Sequence, residues 1–393
     1  MKRGLFRLSS VRKNLSKTGL LTLFWVIRLI LFLMFSRLPF TFLFLFVIIF
    51  GTLFSVSSSH WLGVWAGLEV NLIGFLPILL YQKRISESES AVKYFIVQAL
   101  GSSLLVFGSL VRSSTSFTWD PSLASSWLSV IVIVSGLLTK IGLFPFHFWL
   151  PGVIAGLPWL SCIVLATWQK VAPLFLVTTI LDVTDAYSIT LLACILAAGS
   201  SLIGGLGGIN QTQVRAILAY SSIGHLGWII FASSHSSSGM KLYFLIYVLI
   251  SFTVFLAMWT LNAANAKRLA RLIGSHSMTL FSIMVMLISL AGLPPLLGFI
   301  SKWIVLLSAT LSSLFPLLGL LILGSVMSLF YYLRLYFSIF LGGSRSNLLL
   351  RSGPHGLSLI VSFGLLFNLT AGLCLIFLNF LKRIYALIIF DKP

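Results

Sequence analysis

Six side chains of this 393-residue sequence could move protons where water is scarce: Glu69, Lys140, Lys170, Lys302, His147 and His225. Lys140 and Lys170 share one apolar stretch, SGLLTKIGLFPFHFWLPGVIAGLPWLSCIVLATWQKVAPLF from Ser135 to Phe175, with no carboxylate between them. A lysine at the centre of a bilayer costs roughly 2.5–3.5 kcal/mol on insertion scales, so it is rarely retained for packing. Both lysines also neighbour prolines. Lacking an N–H, Pro145 should free the carbonyl of Ile141, beside Lys140, and Pro173 that of Gln169, beside Lys170. Lys302 follows Pro294-Pro295 by seven residues, close to two helical turns or roughly 10 Å. Helices broken at membrane depth are how transporters line an ion site, and lipid-facing backbone could not tolerate the break.

The chemistry these types allow is proton relay. Burial penalises a charged form and each partner's charge acts on the other, so a buried carboxylate and buried lysines can change protonation on small local changes. Arginine stays protonated and could not serve. Glu69, in WAGLEVNLIGFLPILL, is the one acid expected in mid-helix. A single lysine could equally snorkel from a helix end, and Arg334, in FYYLRLYF, reads as such an anchor. His147, in PFHFWLPG, could pass a proton or fill a packing role, and so could His225, in AYSSIGHLGW. His60, His235, His276 and His355 fall in loops or at ends and receive no role.

The elements that must position these residues follow from composition. The chain is 59% hydrophobic and 8% charged, against about 25% charged in soluble domains. It is expected to be an all-α, polytopic membrane protein. Apolar blocks place spans near 38–57, 61–80, 92–111, 127–144, 158–180, 188–208, 214–232, 240–262, 277–309, 316–340 and 357–380, about eleven in all. The block at 277–309 contains Gly292-Leu293-Pro294-Pro295 and should be discontinuous. Alternate loops carry Lys83, Arg84, Lys93, Arg215, Lys267, Arg268, Arg271, Arg345 and Arg351, whereas the opposite set holds Arg112 and Lys241 with Asp120, Asp182 and Asp185. That bias fits the positive-inside rule with residue 38 entering from the positive side. Glu87 and Glu89 are expected in a loop.

The net charge of +19 is thus topological, and no nucleic-acid partner is implied. Cys162, Cys194 and Cys374 are isolated, which argues against an iron–sulfur centre, a structural zinc or a disulfide framework. Gly204–Gly208 (GGLGG) lacks the Lys-Ser/Thr of a P-loop, so no nucleotide site is expected. No metal or cofactor is expected in this chain. Residues 1–37 form a basic extension before a single transmembrane domain at 38–393. Acid-free through MKRGLFRLSSVRKNLSKTG, the extension reads either as a mitochondrial transit segment or as a retained arm on the positive side. Leu20–Phe35 carries Arg28 and is expected not to span.

Motifs in order along the chain carry a resemblance. They are GLEVNLIGFLPIL around Glu69, KYFIVQALGS from Lys93, KIGLFPFHFWLP from Lys140, TWQKVAPL around Lys170, NQTQVRAILAYSSIGHLGW from Asn210 and SLAGLPPLLGFISKW ending at Trp303. Over Thr41 to Tyr336 the chain resembles the subunit 2 family of NADH dehydrogenase, antiporter-like membrane-arm subunits of mitochondrial respiratory complex I. The resemblance implies a multi-pass inner-membrane subunit with discontinuous helices. Glu69 and Lys140 would be its Glu–Lys pair, Lys170 its central lysine and Lys302 the lysine of the second broken helix. It implies a proton-translocating role, with the lipid bilayer and other membrane-arm subunits as partners. NADH, FMN, iron–sulfur clusters and ubiquinone would be used by the whole complex. Ala216 stands where members often carry a second basic residue after the arginine of the NQTQ motif. Two other functions fit the buried charges: a stand-alone cation/proton antiporter of the same fold, or a scaffold whose charges serve assembly. The length and order of the motif match favour the complex I subunit.

Overall fold

A computed structural model of the chain describes residues 40–81, 84–116, 127–184, 187–261, 277–309, 314–341 and 360–374. The expectations for residues 1–37, including Leu20–Phe35, and most of the basic loop residues lie outside these ranges. All regular elements among the described residues are helical: α1 (Thr41–Ser57), α2 (Trp61–Leu79), α3 (Ile85–Ser116), α4 (Trp127–Ile141), α5 (Trp149–Gly156), α6 (Trp159–Ala166), a 3₁₀ turn (Trp168–Lys170), α7 (Val171–Thr184), α8 (Tyr187–Ile209), α9 (Val214–His235), α10 (Ser237–Leu261), α11 (Ser277–Ala291), α12 (Leu297–Ala309), α13 (Phe315–Phe340) and α14 (Ile360–Cys374). Helix follows from the medium, because a chain in lipid must satisfy its own N–H and C=O groups.

Two of the crossings are composite. α4 has 15 residues, about 22 Å of rise, too short for a hydrocarbon layer of about 30 Å. It starts where Trp127 Nε1 donates to Ser188 Oγ at 3.0 Å, beside the start of α8. The eight-residue α5 ends at the other side of the bundle, where Arg215 at the start of α9 donates to the carbonyl of Leu157. α4 and α5 therefore make one crossing, broken near its middle. The predicted span 127–144 thus stops short, and α5 was missed. α11 and α12, of 15 and 13 residues, form the second such crossing, as GLPP implied.

Other boundaries shift for local reasons. α3 begins at Ile85, so Glu87 lies in its first turn and is buried, not in a loop as expected. The polar run ISESES reads as loop, yet Glu89 and Lys93 pair across one turn at 2.5 Å and favour helix there. Arg112, also expected in a loop, is buried within α3 with its guanidinium 5.9 Å from the Trp61 ring. The GGLGG stretch serves helix crossing. A Cβ on Gly204 would lie 2.5 Å from the backbone N of Gly224, and one on Gly205 would lie 2.7 Å from the carbonyl oxygen of Gly324. α8 thus meets α9 and α13 backbone to backbone, the close approach that small residues allow in membranes.

Candidate proton-transfer site

The two broken crossings end their first halves alike. Gly142 and Gly292 have φ of 81° and 85°, the left-handed conformation that reverses a chain at a helix C-terminus. The Leu138 carbonyl accepts from Gly142 N at 2.9 Å and Leu143 N at 3.2 Å; the Ile288 carbonyl accepts from Gly292 N at 3.1 Å and Leu293 N at 3.3 Å. Cis peptide bonds follow at Phe144-Pro145 and Pro294-Pro295. GLFP and GLPP are the same punctuation written twice, an internal echo that the sequence reading did not use.

Helix ends leave carbonyls that need donors, and at both breaks these face site residues. At the end of α4, the Thr139 carbonyl accepts from Trp149 Nε1 at 3.1 Å and the Lys140 carbonyl from Gln98 Nε2 at 3.2 Å. At the end of α11, the Ala291 carbonyl accepts from Lys302 Nζ at 2.8 Å. Lys302 lies within α12 and packs directly on Gly292, whose hypothetical Cβ would stand 2.9 Å from Nζ. Pro145 lies outside any helix, so the expected effect on Ile141 is replaced by the end of α4 itself. Pro173 lies in the first turn of α7, directly after the 3₁₀ turn that carries Lys170.

Two groupings emerge. Glu69 Oε1 lies 3.8 Å from Lys140 Nζ, an ion pair too long for a hydrogen bond. Neither atom has a hydrogen-bond partner among the described residues. Beside them Asn71, Tyr94, Gln98, Lys140 and Gln169 line a polar cavity with about 10 Å³ of space for water centres, on the scale of one water. Gln169 Nε2 donates to Asn71 Oδ1 at 3.1 Å, tying α2 to the unwound turn next to Lys170.

The second grouping joins Lys170, His225 and Lys302 through two tyrosines of α10. Lys170 is 2% exposed, its Nζ has no hydrogen-bond partner among the described residues, and it faces the Tyr247 ring at 5.6 Å. The His225 ring lies 5.2 Å from the Tyr247 ring, and His225 Nδ1 meets the Tyr243 hydroxyl at 3.0 Å. His225 and Lys302 then line one cavity, again of about 10 Å³ for water centres, together with Ser201, Ser221, Ser328 and Tyr332. Lys302 Nζ also lies 5.9 Å from the Trp228 ring.

His147 stands apart from both groupings. Its Nδ1 faces the Pro145 carbonyl at 3.1 Å and its ring packs against Phe148 at 4.1 Å, inside the first break. Arg334 donates to the carbonyls of Ile209 and Gln211, and so caps the C-terminal end of α8. Arg215 Cζ lies 5.4 Å from the Trp159 ring, and the neighbouring Ala216 is buried. The sequence reading missed Tyr243, Tyr247, Asn71, Gln98 and Gln169. The amides could have been found as rare polar groups in apolar runs; the tyrosines resemble packing residues. Among the described residues no cluster of three His, Cys, Asp or Glu side chains could hold a metal.

Residues 58–328 match the family described as NADH:quinone oxidoreductase/Mrp antiporter, TM. The chain is 39% identical over 306 residues to NADH-ubiquinone oxidoreductase chain 2 of Anopheles gambiae, covering 78% of this chain and 87% of the relative. It is 40% identical over 285 residues to the protein of the same name from Latimeria chalumnae, covering 72% and 81%. Among solved structures it resembles a chain of respiratory complex I from Thermus thermophilus with bound aureothin. There the TM-score is 0.76 at 25% identity, over 85% of this chain and 78% of that one.

Proposed function

Because the chain belongs to the NADH-ubiquinone oxidoreductase chain 2 family, within the wider NADH:quinone oxidoreductase/Mrp antiporter group, we propose that Glu69, Lys140, Lys170, His225 and Lys302 form its proton path. The protein is a multi-pass, proton-translocating subunit of respiratory complex I in the mitochondrial inner membrane, and its partners are the other membrane-arm subunits. NADH oxidation and ubiquinone reduction, with FMN and iron–sulfur clusters, belong to other subunits in this reading. This chain's contribution is to hold and pass protons.

The observation that carries the reading is that Lys140, Lys170 and Lys302 are all buried and each meets an interrupted helix: Lys140 in the last turn of α4, Lys170 in the 3₁₀ turn, and Lys302 with its Nζ on the Ala291 carbonyl at the end of α11. A change of charge reaching Glu69 from a neighbouring subunit alters its pairing with Lys140 at 3.8 Å. The proton then passes by way of the Asn71–Gln169 end of the polar cavity to Lys170. From Lys170 it runs past Tyr247 to His225 and Lys302. The ring separations of 5.2–5.6 Å past Tyr247 exceed a direct hydrogen bond, so that leg needs a movement of the Lys170 side chain or an intervening water, while the two cavities have the size for a water beside Lys140 and between His225 and Lys302. His147 has no step in this path.

The test is Lys170→Met in the intact complex. We expect the complex to assemble while NADH–quinone turnover and the coupled proton movement fall at least tenfold, the lower range for losing an acid–base group being about a hundredfold. Wild-type turnover and pumping in an assembled variant would overturn the path.

A further inference from the structure

α14 lies beyond the stretch that matches the family description, within the apolar span that the sequence places near 357–380. It carries one amide, Asn368, 2% exposed. Asn368 Oδ1 accepts from the backbone N of Leu297 at 3.1 Å and from Ser289 Oγ at 3.2 Å. Ser289 Oγ in turn accepts from the backbone N of Gly298 at 3.3 Å. Asn368 Nδ2 lies 3.1 Å from Met286 Sδ. One side chain from α14 therefore clamps the end of α11 to the beginning of α12: Asn368 Oδ1 is the acceptor for the Leu297 N–H and, by holding the Ser289 hydroxyl, orients the oxygen that accepts from the Gly298 N–H, two of the donors that a helix start leaves unpaired. One turn on, a Cβ at Gly372 would lie 2.4 Å from the Pro295 carbonyl oxygen, so α14 rests directly on the break.

We infer that Asn368 is a positioning residue for Lys302: by pinning the first turn of α12 to α11, it sets the seat of Lys302 Nζ on the Ala291 carbonyl. Lys302 is five residues along from Leu297, so a pivot of α12 at its start carries the ammonium away from Ala291. A leucine at 368 fills the volume without an acceptor and leaves the Leu297 N–H and the Ser289 hydroxyl without Oδ1. This inference rests on the proposed role of Lys302.

The experiment compares Asn368→Leu, Asn368→Asp, Lys302→Met and the Asn368→Leu/Lys302→Met pair in the intact complex. Assembled amount, NADH–quinone turnover per complex and its pH profile are measured. Asn368→Leu should lower turnover per complex roughly fivefold, the effect of a lost helix cap on an equilibrium, and displace the pH profile. Asn368→Asp keeps the acceptor and should restore both. On the Lys302→Met background Asn368→Leu should add nothing. Unchanged turnover and pH profile per assembled Asn368→Leu complex would overturn the inference, as would full additivity in the pair. If Asn368→Leu does not assemble, Ser289→Ala decides: it removes the link to Gly298 N, and an unchanged pH profile overturns the inference. Failure of the parent reading is recognised separately, as wild-type turnover in Lys302→Met alone.

Discussion

Substituting Gly292 by alanine tests whether the seat of Lys302 matters apart from the fold. The added Cβ would stand 2.9 Å from both Lys302 Cδ and Nζ, and 3.1 Å from Cε. Those atoms form the far end of a flexible side chain, so the lysine moves before the backbone does. Its displacement removes the 2.8 Å bond to the Ala291 carbonyl, and a hydrogen bond from a charged group contributes about 1.5–3 kcal/mol. The residue also keeps φ near 85°, which costs an L-residue roughly 1–2 kcal/mol. Gly142→Ala separates these two effects. It places the same substitution at φ 81°, where the nearest atom is Leu150 Cδ1 at 2.8 Å and no lysine atom is among the nearest neighbours. Both variants should lower the amount of assembled complex to a similar extent. Gly292→Ala should in addition lower proton pumping and turnover per assembled complex roughly tenfold or more. These are read by NADH–quinone turnover and by acidification on the far side of sealed vesicles. Assembled Gly292→Ala complex that turns over and pumps at the wild-type rate would refute the assignment of Lys302.

Glu69→Gln keeps the shape of the side chain and removes the charge 3.8 Å from Lys140 Nζ. At an effective dielectric of 20 that attraction is roughly 4 kcal/mol, weakened by water because the Glu69 side chain is 27% exposed, so coupled turnover should fall at least tenfold with assembly retained. Arg334→Ala frees the carbonyls of Ile209 and Gln211 at and just after the end of α8, a helix that carries no lysine of the path. Its effect should be about 1–2 kcal/mol of stability, seen as less assembled complex in native gels with normal turnover per complex.

The lysines were legible because charge in an apolar run is expensive wherever it sits; Lys140, Lys170 and Lys302 declare themselves without knowledge of the fold. The breaks were legible from Pro145 and Pro294-Pro295, but not where along a crossing they fall. An apolar run such as 127–144 looks like a complete span, and Trp149–Gly156 is too short to signal itself. What joins the site was not legible. Tyr247 lies between Lys170 and His225 because α10 packs beside α6, α9 and α12, and an aromatic in a buried helix carries the same pattern whether it packs or relays. Asn368 was passed over for a similar reason. In a helix read as apolar, one amide weighs little until its acceptor is seen to face the start of another helix. Glu87 and Arg112 were misplaced because polarity marks a loop end in sequence, whereas both continue α3 by a turn or more.

The three lysines are held in different ways, and a directional relay needs such a difference. Lys302 is seated on the carbonyl of Ala291 at the C-terminal end of α11, where the helix dipole favours a cation. Lys140 has a carboxylate at 3.8 Å that offers attraction without a hydrogen bond. Lys170 has the face of Tyr247 at 5.6 Å and a turn tightened to 3₁₀ beneath it. An ammonium on a fixed acceptor is held in place, while one facing a carboxylate across a gap responds to every change in that carboxylate. The central lysine has neither. A cavity beside Lys140 and another between His225 and Lys302 have room for a water-sized link. In the proposed path the arrangement gives a responsive pair at one end, a carrier without a hydrogen-bond acceptor in the middle and a seated store at the other, with the seat bordered by Gly292 and its helix start held by Asn368.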